Sequence, residues 1–319
     1  MQFEAILIKS DILRFDISEN TGAVDFTDNI NAAGICTFGV AQDEDDEANP
    51  EVGNGLRLTC DGVTYFVGYI FKVARSHSKE FKVTAYDQLR YLKASETYVF
   101  KNRTASQILA QICSDFKLRA GLIEDTKHIL PIMTFDAKVM LDMIAESVTN
   151  TLIATKKLFF VKDLAGEVVF KNIESCITDL KIAPDSLLFN YSYERSIDDD
   201  TFNQIKLVRD NKSTGQREIF MTRDSNTISS WGILQHYEKV DDGMNPEQIK
   251  QKADSLLFLK NRITQKFTVD VTGEKEIRAG NLIYIELPEA NLSKYLLCLN
   301  ANHRFTNTSH TVKATFKMV

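Results

Sequence analysis

Five histidines, five cysteines and many carboxylates are the residues of this 319-residue chain that could do chemistry, and their spacing decides what each can be. His77, His128, His236, His303 and His310 stand far apart except for the last two, which straddle a predicted hairpin. No HExxH or comparable ligand spacing joins them, so each reads as a surface or core imidazole rather than a metal ligand. Cys36, Cys60, Cys113, Cys176 and Cys298 are scattered, odd in number and free of any CxxC spacing. Neither zinc nor a disulfide framework is supported, and a reducing compartment fits. The acids Asp198 to Asp200 and Asp241-Asp242 leave a glycosidase-like pair open, although abundant acids are not a positioned acid and base. The run Asp43 to Glu47 lacks the spaced ligands, central Gly and closing Glu of an EF-hand and reads as a solvated loop. No nucleophile elbow, P-loop or GxGxxG pattern occurs. The sequence therefore nominates no catalytic, cofactor-binding or metal residue and no cofactor.

Composition narrows the classes further. Apolar residues at 44% and charged ones at 26% are ordinary for a folded protein, and the length suits about two domains of ~150 residues. A formal charge of −6 argues against specific nucleic-acid binding, which needs a clustered positive surface, without excluding a conduit through which DNA passes. Apolar runs such as Tyr295 to Leu299 fall far short of the ~20 residues that span a bilayer, so no stable membrane insertion is expected. The first residues carry Glu4 within an apolar segment and show neither a basic n-region nor a cleavage site. Synthesis and retention in a host cytoplasm are expected, until something else releases the chain.

The elements that must position these residues fall into three regions. Gln2 to Ile8, Ile12 to Ile17, Ile35 to Val40, Gly53 to Cys60 and Val63 to Phe71 read as short strands. A Gly/Asn/Asp-rich stretch separates the second from the third, and Asp61-Gly62 marks a hairpin. After a turn over Lys72 to Lys79, the run Phe81 to Phe116 changes structure three times. Phe81, Val83 and Ala85 alternate as in a half-buried strand, Asp87 caps a short helix over Gln88 to Lys93, and Thr104 to Gln107 spells a capping box. Asp87 is thus better explained as a cap than as a nucleophile. Ile108, Leu109, Ile112 and Phe116 share one helical face, and Thr134 to Asp136 should open a second helix with a Met-containing stripe at Val139, Met140, Met143, Ile144 and Val148. Lys157 to Lys162 and Val168 to Asn172 read as a hairpin. Strands return from Phe189, with a hairpin of Gln204 to Val208 and Arg217 to Thr222, a helix from Pro246 to Ile263, and final strands at Lys266 to Thr272, Leu282 to Leu287, Lys294 to Leu299 and Val312 to Val319.

Two distant stretches look alike. EVGNGLRL with TYFVGYIFKVARSHSKEFKVTAY near the start matches RAGNLIYIEL with KYLLCLNANHRFTNTSHTVKATF at the end. Each has Gly-Asn (Gly53-Asn54, Gly280-Asn281), a strand, a hairpin, a strand led by Tyr65 or Tyr295, then a turn and a Lys-bearing alternating strand. Two copies of one barrel in a single chain would explain this. The fold class expected is therefore α+β: two similar small antiparallel β-barrels, residues 1–98 and 188–319, flanking an α/β module at 99–187, with a helical segment at about 224–264 inserted in the second barrel.

The string VTAYDQLRYL, followed by Thr-Tyr-Val-Phe, Lys-Asn-Arg-Thr-Ala-Ser and a helix, resembles the XkdQ/YqbQ family of tail hub proteins from phages and phage-derived particles. The segment Ser229 to Tyr237 around Trp231 agrees, and the resemblance covers most of the chain. It is a signature of fold rather than of chemistry. It implies a non-enzymatic baseplate hub that joins the tail tube to the central spike. Three copies would close into a ring, so that six similar barrels stand in near-sixfold array. The implied partners are the chain itself as a homotrimer, the tail tube protein, and spike and other baseplate proteins, with a LysM-containing tail protein among the candidates. Its place would be the tail of the particle. The competing functions are a tail-associated wall-degrading enzyme and a receptor- or glycan-binding tip protein.

Overall fold

The alternation noted in the sequence carries straight into the first strands. In β1 (Phe3–Ile8), Ala5 and Leu7 are wholly buried between half-exposed neighbours. After the short β2 (Arg14–Asp16), the same period runs through β3 (Thr21–Asn29), β4 (Ile35–Ala41) and β5 (Gly55–Cys60). Asp61 and Gly62, both at positive φ, turn the chain into β6 (Val63–Arg75), and β7 (Glu80–Tyr86) follows. Val24, Phe26, Phe38, Leu56, Leu58, Phe66, Ile70 and Val83 close one apolar core. The computed structural model describes residues 2–318 apart from 43–45, 76, 78, 199, 212–213 and 307, so most of the acidic run Asp43 to Glu47 lies outside the described residues.

Two expectations are corrected here. β3 occupies the stretch expected to be Gly/Asn/Asp-rich loop, because Val24, Phe26 and Asp28 all face inward at period two. β6 does not end at Phe71. It continues to Arg75, since β7 pairs with it as far as Arg75↔Phe81.

Asp87 then caps a 3-10 turn over Gln88–Lys93, and the helix expected there is no longer than that. Next come β8 (Ser95–Phe100), β9 (Arg103–Thr104) and α1 (Ala105–Asp115). Thr104 and Gln107 form the capping box anticipated from their spacing, with both reciprocal bonds present. β10 (Ala120–Ile123), β11 (Ile129–Leu130) and β12 (Met133–Val139) lead to α2 (Met140–Thr155), β13 (Phe159–Asp163) and β14 (Val168–Asn172). The second helix therefore starts at Met140 and not at Thr134. Residues Met133 to Val139 are drawn into a strand by pairing with β8, and Val139 enters α2 without a side-chain cap. The buried faces of α1 and α2 meet Phe135, Phe159, Val161 and Phe170 in a second core.

β15 (Ile177–Ile182) and β16 (Leu188–Ser196) carry the chain out to a separate compact unit, Tyr193–Lys266. That unit holds β17 (Gln204–Asn211), β18 (Gln216–Arg223), α3 (Ser225–Trp231), β19 (Gln235–Lys239) and α4 (Pro246–Lys260). The strands lie in the order β18-β17-β19, and α4 starts from an Asn245–Gln248 capping box followed by Pro246. The inserted part is thus longer than the helical segment expected at about 224–264, because the β17–β18 hairpin belongs with it. The chain returns through β20 (Thr264–Thr272), β21 (Leu282–Leu287), β22 (Leu292–Phe305) and β23 (His310–Lys317). Their inward residues, among them Phe267, Val269, Ile283, Leu296 and Phe316, make a third core with Ile182.

Both β lobes belong to one sheet. Its strands run β16-β20-β23-β22-β3-β4-β7-β6-β5-β1-β2, with β21 joined to β22 and β15 to β21. The order β3-β4-β7-β6-β5 of the first lobe is repeated as β16-β20-β23-β22-β21 in the last, strand for strand in chain order. The flanking strands differ, since β1 runs antiparallel to β5 whereas β15 runs parallel to β21.

Candidate functional site: a buried charge cluster and a seam between lobes

The chemistry-bearing residues of the sequence do not assemble into one place. Among the described residues no three of His, Cys, Asp and Glu come together as a metal site. His303 and His310 meet, as their hairpin placement allowed, with Nδ1 and Nε2 at 3.0 Å, and His236 Nε2 lies 3.4 Å from Glu238, its neighbour on the same strand. His303 is wholly buried, stacked near Phe26 and Phe305 and edge-on to Tyr65. Burial, reinforced by Arg278, pulls its pKa well below the ordinary imidazole value, and burial lowers His310 to about 4. Two neutral rings sharing one hydrogen bond are core furniture. The cysteines are buried thiols. Burial raises Cys113 to about 11, and burial with Asp61 does the same to Cys60, which removes the thiolate that a nucleophile needs.

The acids serve local structure. Asp200 pairs with Lys260, and Asp241 accepts from the Gly243 amide at 2.7 Å. Asp87 accepts from the amides of Leu89 (2.9 Å) and Gly34 (2.6 Å), so the cap also ties β7 to the loop before β4. Burial and the nearby Asp163 hold its pKa well above the usual carboxylate range.

The feature that sequence reasoning missed is a buried charge cluster. Asp28 Oδ2 accepts from Lys162 Nζ at 2.9 Å, Arg278 Nε at 2.7 Å and the Ala279 amide at 3.1 Å. Lys162 also donates to the Ala279 carbonyl at 2.8 Å, and Arg278 to the Tyr65 carbonyl at 3.2 Å. The guanidinium lies over the rings of Phe26 and Tyr65. The three side chains come from β3, from β13 and from the approach to β21, so the cluster locks the first lobe, the middle module and the last lobe to one another. Burial pushes the Asp28 carboxyl up, but the two cations and their hydrogen bonds outweigh it and bring it down to about 2. A signal was present in the sequence. Lys162 interrupts a strand whose five residues are all buried, and Asp28 falls on the inward side of an alternating strand. Lys162 and Arg278 also line an open cleft of about 320 Å³ whose one lining carboxylate is Glu276, so no acid pair faces it.

Beside the cluster lies the seam between lobes. β22 pairs antiparallel with β3 from Asn300↔Asn29 to Phe305↔Val24, and Arg304 crosses it to Asp25 at 2.9 Å. The approach to the seam is duplicated atom for atom. In the first lobe the Gly53 amide donates to the Ile70 carbonyl and the Ile70 amide to the Asn54 carbonyl, both at 2.8 Å. In the last lobe the Gly280 amide donates to the Cys298 carbonyl at 2.8 Å and the Cys298 amide to the Asn281 carbonyl at 2.9 Å. Gly53 and Gly280 share φ values of 92° and 90°, where L side chains are strained. Immediately afterwards each long strand bulges, between Ile70 and Lys72 in β6 and between Cys298 and Asn300 in β22. This register makes Tyr295 the counterpart of Val67, because Gly68 and Leu296 face the equivalent residues Leu56 and Ile283. The Tyr65–Tyr295 match read from sequence is therefore two residues out. The slip keeps the same face of the strand.

The fold is that of phage tail proteins. The 43 kDa tail protein of prophage MuSo2 from Shewanella oneidensis superposes with a TM-score of 0.70 at 12% identity, covering 98% of each chain. The Escherichia coli c3393 protein, a component of the type VI secretion system with structural similarity to T4 phage tail proteins gp27 and gp5, gives a TM-score of 0.58 at 9% identity over 93% of this chain and 73% of that one. A YQBQ-like family model matches residues 24–317, and the chain belongs to that family. XkdQ of the phage-like element PBSX from Bacillus subtilis strain 168 is 28% identical over 266 residues, which cover 82% of this chain and 80% of XkdQ.

Proposed function

We propose that this chain is a structural hub of a phage or phage-like tail: a homotrimer whose six β lobes form a pseudo-sixfold ring joining the tail tube to the central spike and baseplate. The observation that carries this is the repeated strand order, with its matched Gly-Asn hydrogen bonds at both ends of the chain. Two copies of one barrel-like lobe let a threefold assembly meet a hexameric tube on one face and a threefold spike on the other. Family membership and the fold shared with phage tail proteins support the same conclusion. The hub acts without catalysis. Its buried polar groups, Asp28 with Lys162 and Arg278, serve to hold the lobes rigidly, as a part of a tube under load must be held. Made in the host cytoplasm, it takes its place in the particle tail with tube, spike and baseplate proteins as neighbours.

Gold-labelled antibody against this chain, imaged on intact particles, tests the proposal. A hub is labelled on the tail axis at the end of the tube, whereas peripheral label would mark a receptor binder. Release of muropeptides from peptidoglycan by the purified protein would mark a wall-degrading enzyme.

A further inference from the structure

Each lobe has one strand with a companion to spare. β22 is flanked on one side by β23 from Leu297 to Phe305, and on the other by β21 from Leu292 to Leu297 and then by β3 from Asn300 to Phe305. β6 is built the same way. β7 lies along its second half, and β5 covers it only from Val63 to Tyr69. Beyond the bulge, Lys72 to Arg75 face no strand on the β5 side among the described residues. That is the position at which β22 receives β3.

The counterpart edge is also present. β3 has β4 on one side and β22 on the other, whereas its equivalent β16 has β20 on one side and ends the sheet on the other. The outer strand is not short, and its charged residues, Glu194 and Arg195, are confined to its far end. It is nine residues long and carries Phe189 at 67% exposure. Soluble proteins rarely leave such an edge to solvent, because its unpaired backbone groups are a template for another strand.

We propose that these two edges pair between copies: the Lys72–Arg75 half of β6 in one chain adds antiparallel to the outer edge of β16 in the next, repeating between chains the β22–β3 seam made within each. The inference rests on the hub reading and deepens it by naming the surfaces that close the ring. The occupant is a second copy of this chain, because the geometry is continuous with a seam the chain already makes. The two edges are complementary rather than identical, so the contact is head-to-tail, and head-to-tail contacts make rings when the rotation closes. Intrachain and interchain seams then alternate around the ring, and three chains supply six of them. The same backbone-to-backbone addition is how sheet edges recruit strands in many complexes.

Hydrogen exchange of the full chain, free and assembled in the particle, tests this. Amides of Lys72–Arg75 and Tyr193–Ser196, the equivalents of Phe26–Asn29, should exchange at least about 100-fold more slowly in the assembled state, while those of Phe26–Asp28, already in the inner seam, are protected in both. Ala74→Cys combined with Glu194→Cys, the equivalents of the paired Asn302 and Thr27, should be joined by a short bismaleimide into chains linked end to end, and neither single variant should be. All native cysteines are buried, so they do not compete. A threefold ring in which Lys72–Arg75 and Tyr193–Ser196 exchange as fast as in the free chain overturns the seam and leaves the hub reading standing. A particle without any ring of this chain overturns both.

Discussion

At the residue scale, Asp28 carries more of the molecule than any residue singled out by motif. Its carboxylate is the one partner shared by two buried cations, so Asp28→Ala leaves Lys162 and Arg278 without it in a low-dielectric interior. The expected loss is about 3–5 kcal/mol, read from the urea midpoint, and a loss below about 1 kcal/mol would contradict the role given to the cluster. The linkage has a definite sign. A folded-state pKa of about 2 lies below the unfolded value, so this contribution is present above about pH 4 and is lost as pH falls through about 2. Asp163 works the other way. Burial raises its pKa to about 6, against the Gly166 amide that donates to Oδ1 at 2.7 Å, and its Oδ2 is buried without a partner. The charged form is therefore penalised above about pH 6, and stability is recovered as pH falls from there toward 4. Asp163→Asn should be more stable than the parent by about 1–3 kcal/mol at pH 7.5, with the gap closing by pH 4.5. Parallel stability curves for the two proteins would refute this.

At the scale of elements, what was legible in the sequence is what local chemistry dictates. The Thr104–Gln107 capping box, the Asp61-Gly62 turn and the start of α4 at Asn245 and Pro246 stand where short-range hydrogen bonds and fixed φ place them. Thr104→Ala should cost about 1 kcal/mol in a thermal or urea melt, as caps do, and no measurable change would count against the cap. The repeat was legible for the same reason, because Gly-Asn marks a backbone position that few other residues tolerate. The misplaced elements were decided by distant partners. Met133 to Val139 carries a helix-like pattern but is claimed by β8, and β3 is a strand because β4 and β22 flank it. The charge cluster was illegible as a cluster, since its members are separated by more than a hundred residues and only the fold joins them. The duplicated glycines offer a contrast. A Cβ on Gly53 meets open space, whereas one on Gly280 comes within 2.3 Å of the Phe160 ring. Gly53→Ala should cost about 1 kcal/mol of backbone strain, and Gly280→Ala at least about 2 kcal/mol more by displacing a core aromatic. Equal losses in chemical denaturation would mean that the ring moves freely.

At the scale of the whole molecule, a single sheet joins two lobes of like strand order, and the strands that make the inner seam have equivalents left over at both ends. The proposed ring would close through these leftover edges, and obligate assemblies typically bury more than ~2,000 Å², so side-chain contacts on both sides of the paired strands would have to add to the backbone bonds. In sequence the inserted unit Tyr193–Lys266 takes in the end of β16 and the start of β20, in the place of the short connection, residues 30–34, between β3 and β4 of the first lobe. Lengthening a hairpin is the change a duplicated lobe accepts without disturbing its strand order, because connecting segments tolerate insertion far better than the strands they join. The most direct test is electron cryo-microscopy of the native tail tip at a resolution that separates strands. The account predicts three copies of this chain around the axis, with six β lobes at near-sixty-degree intervals. One, two or six copies, or three copies whose first and last lobes lie at different radii, would contradict it.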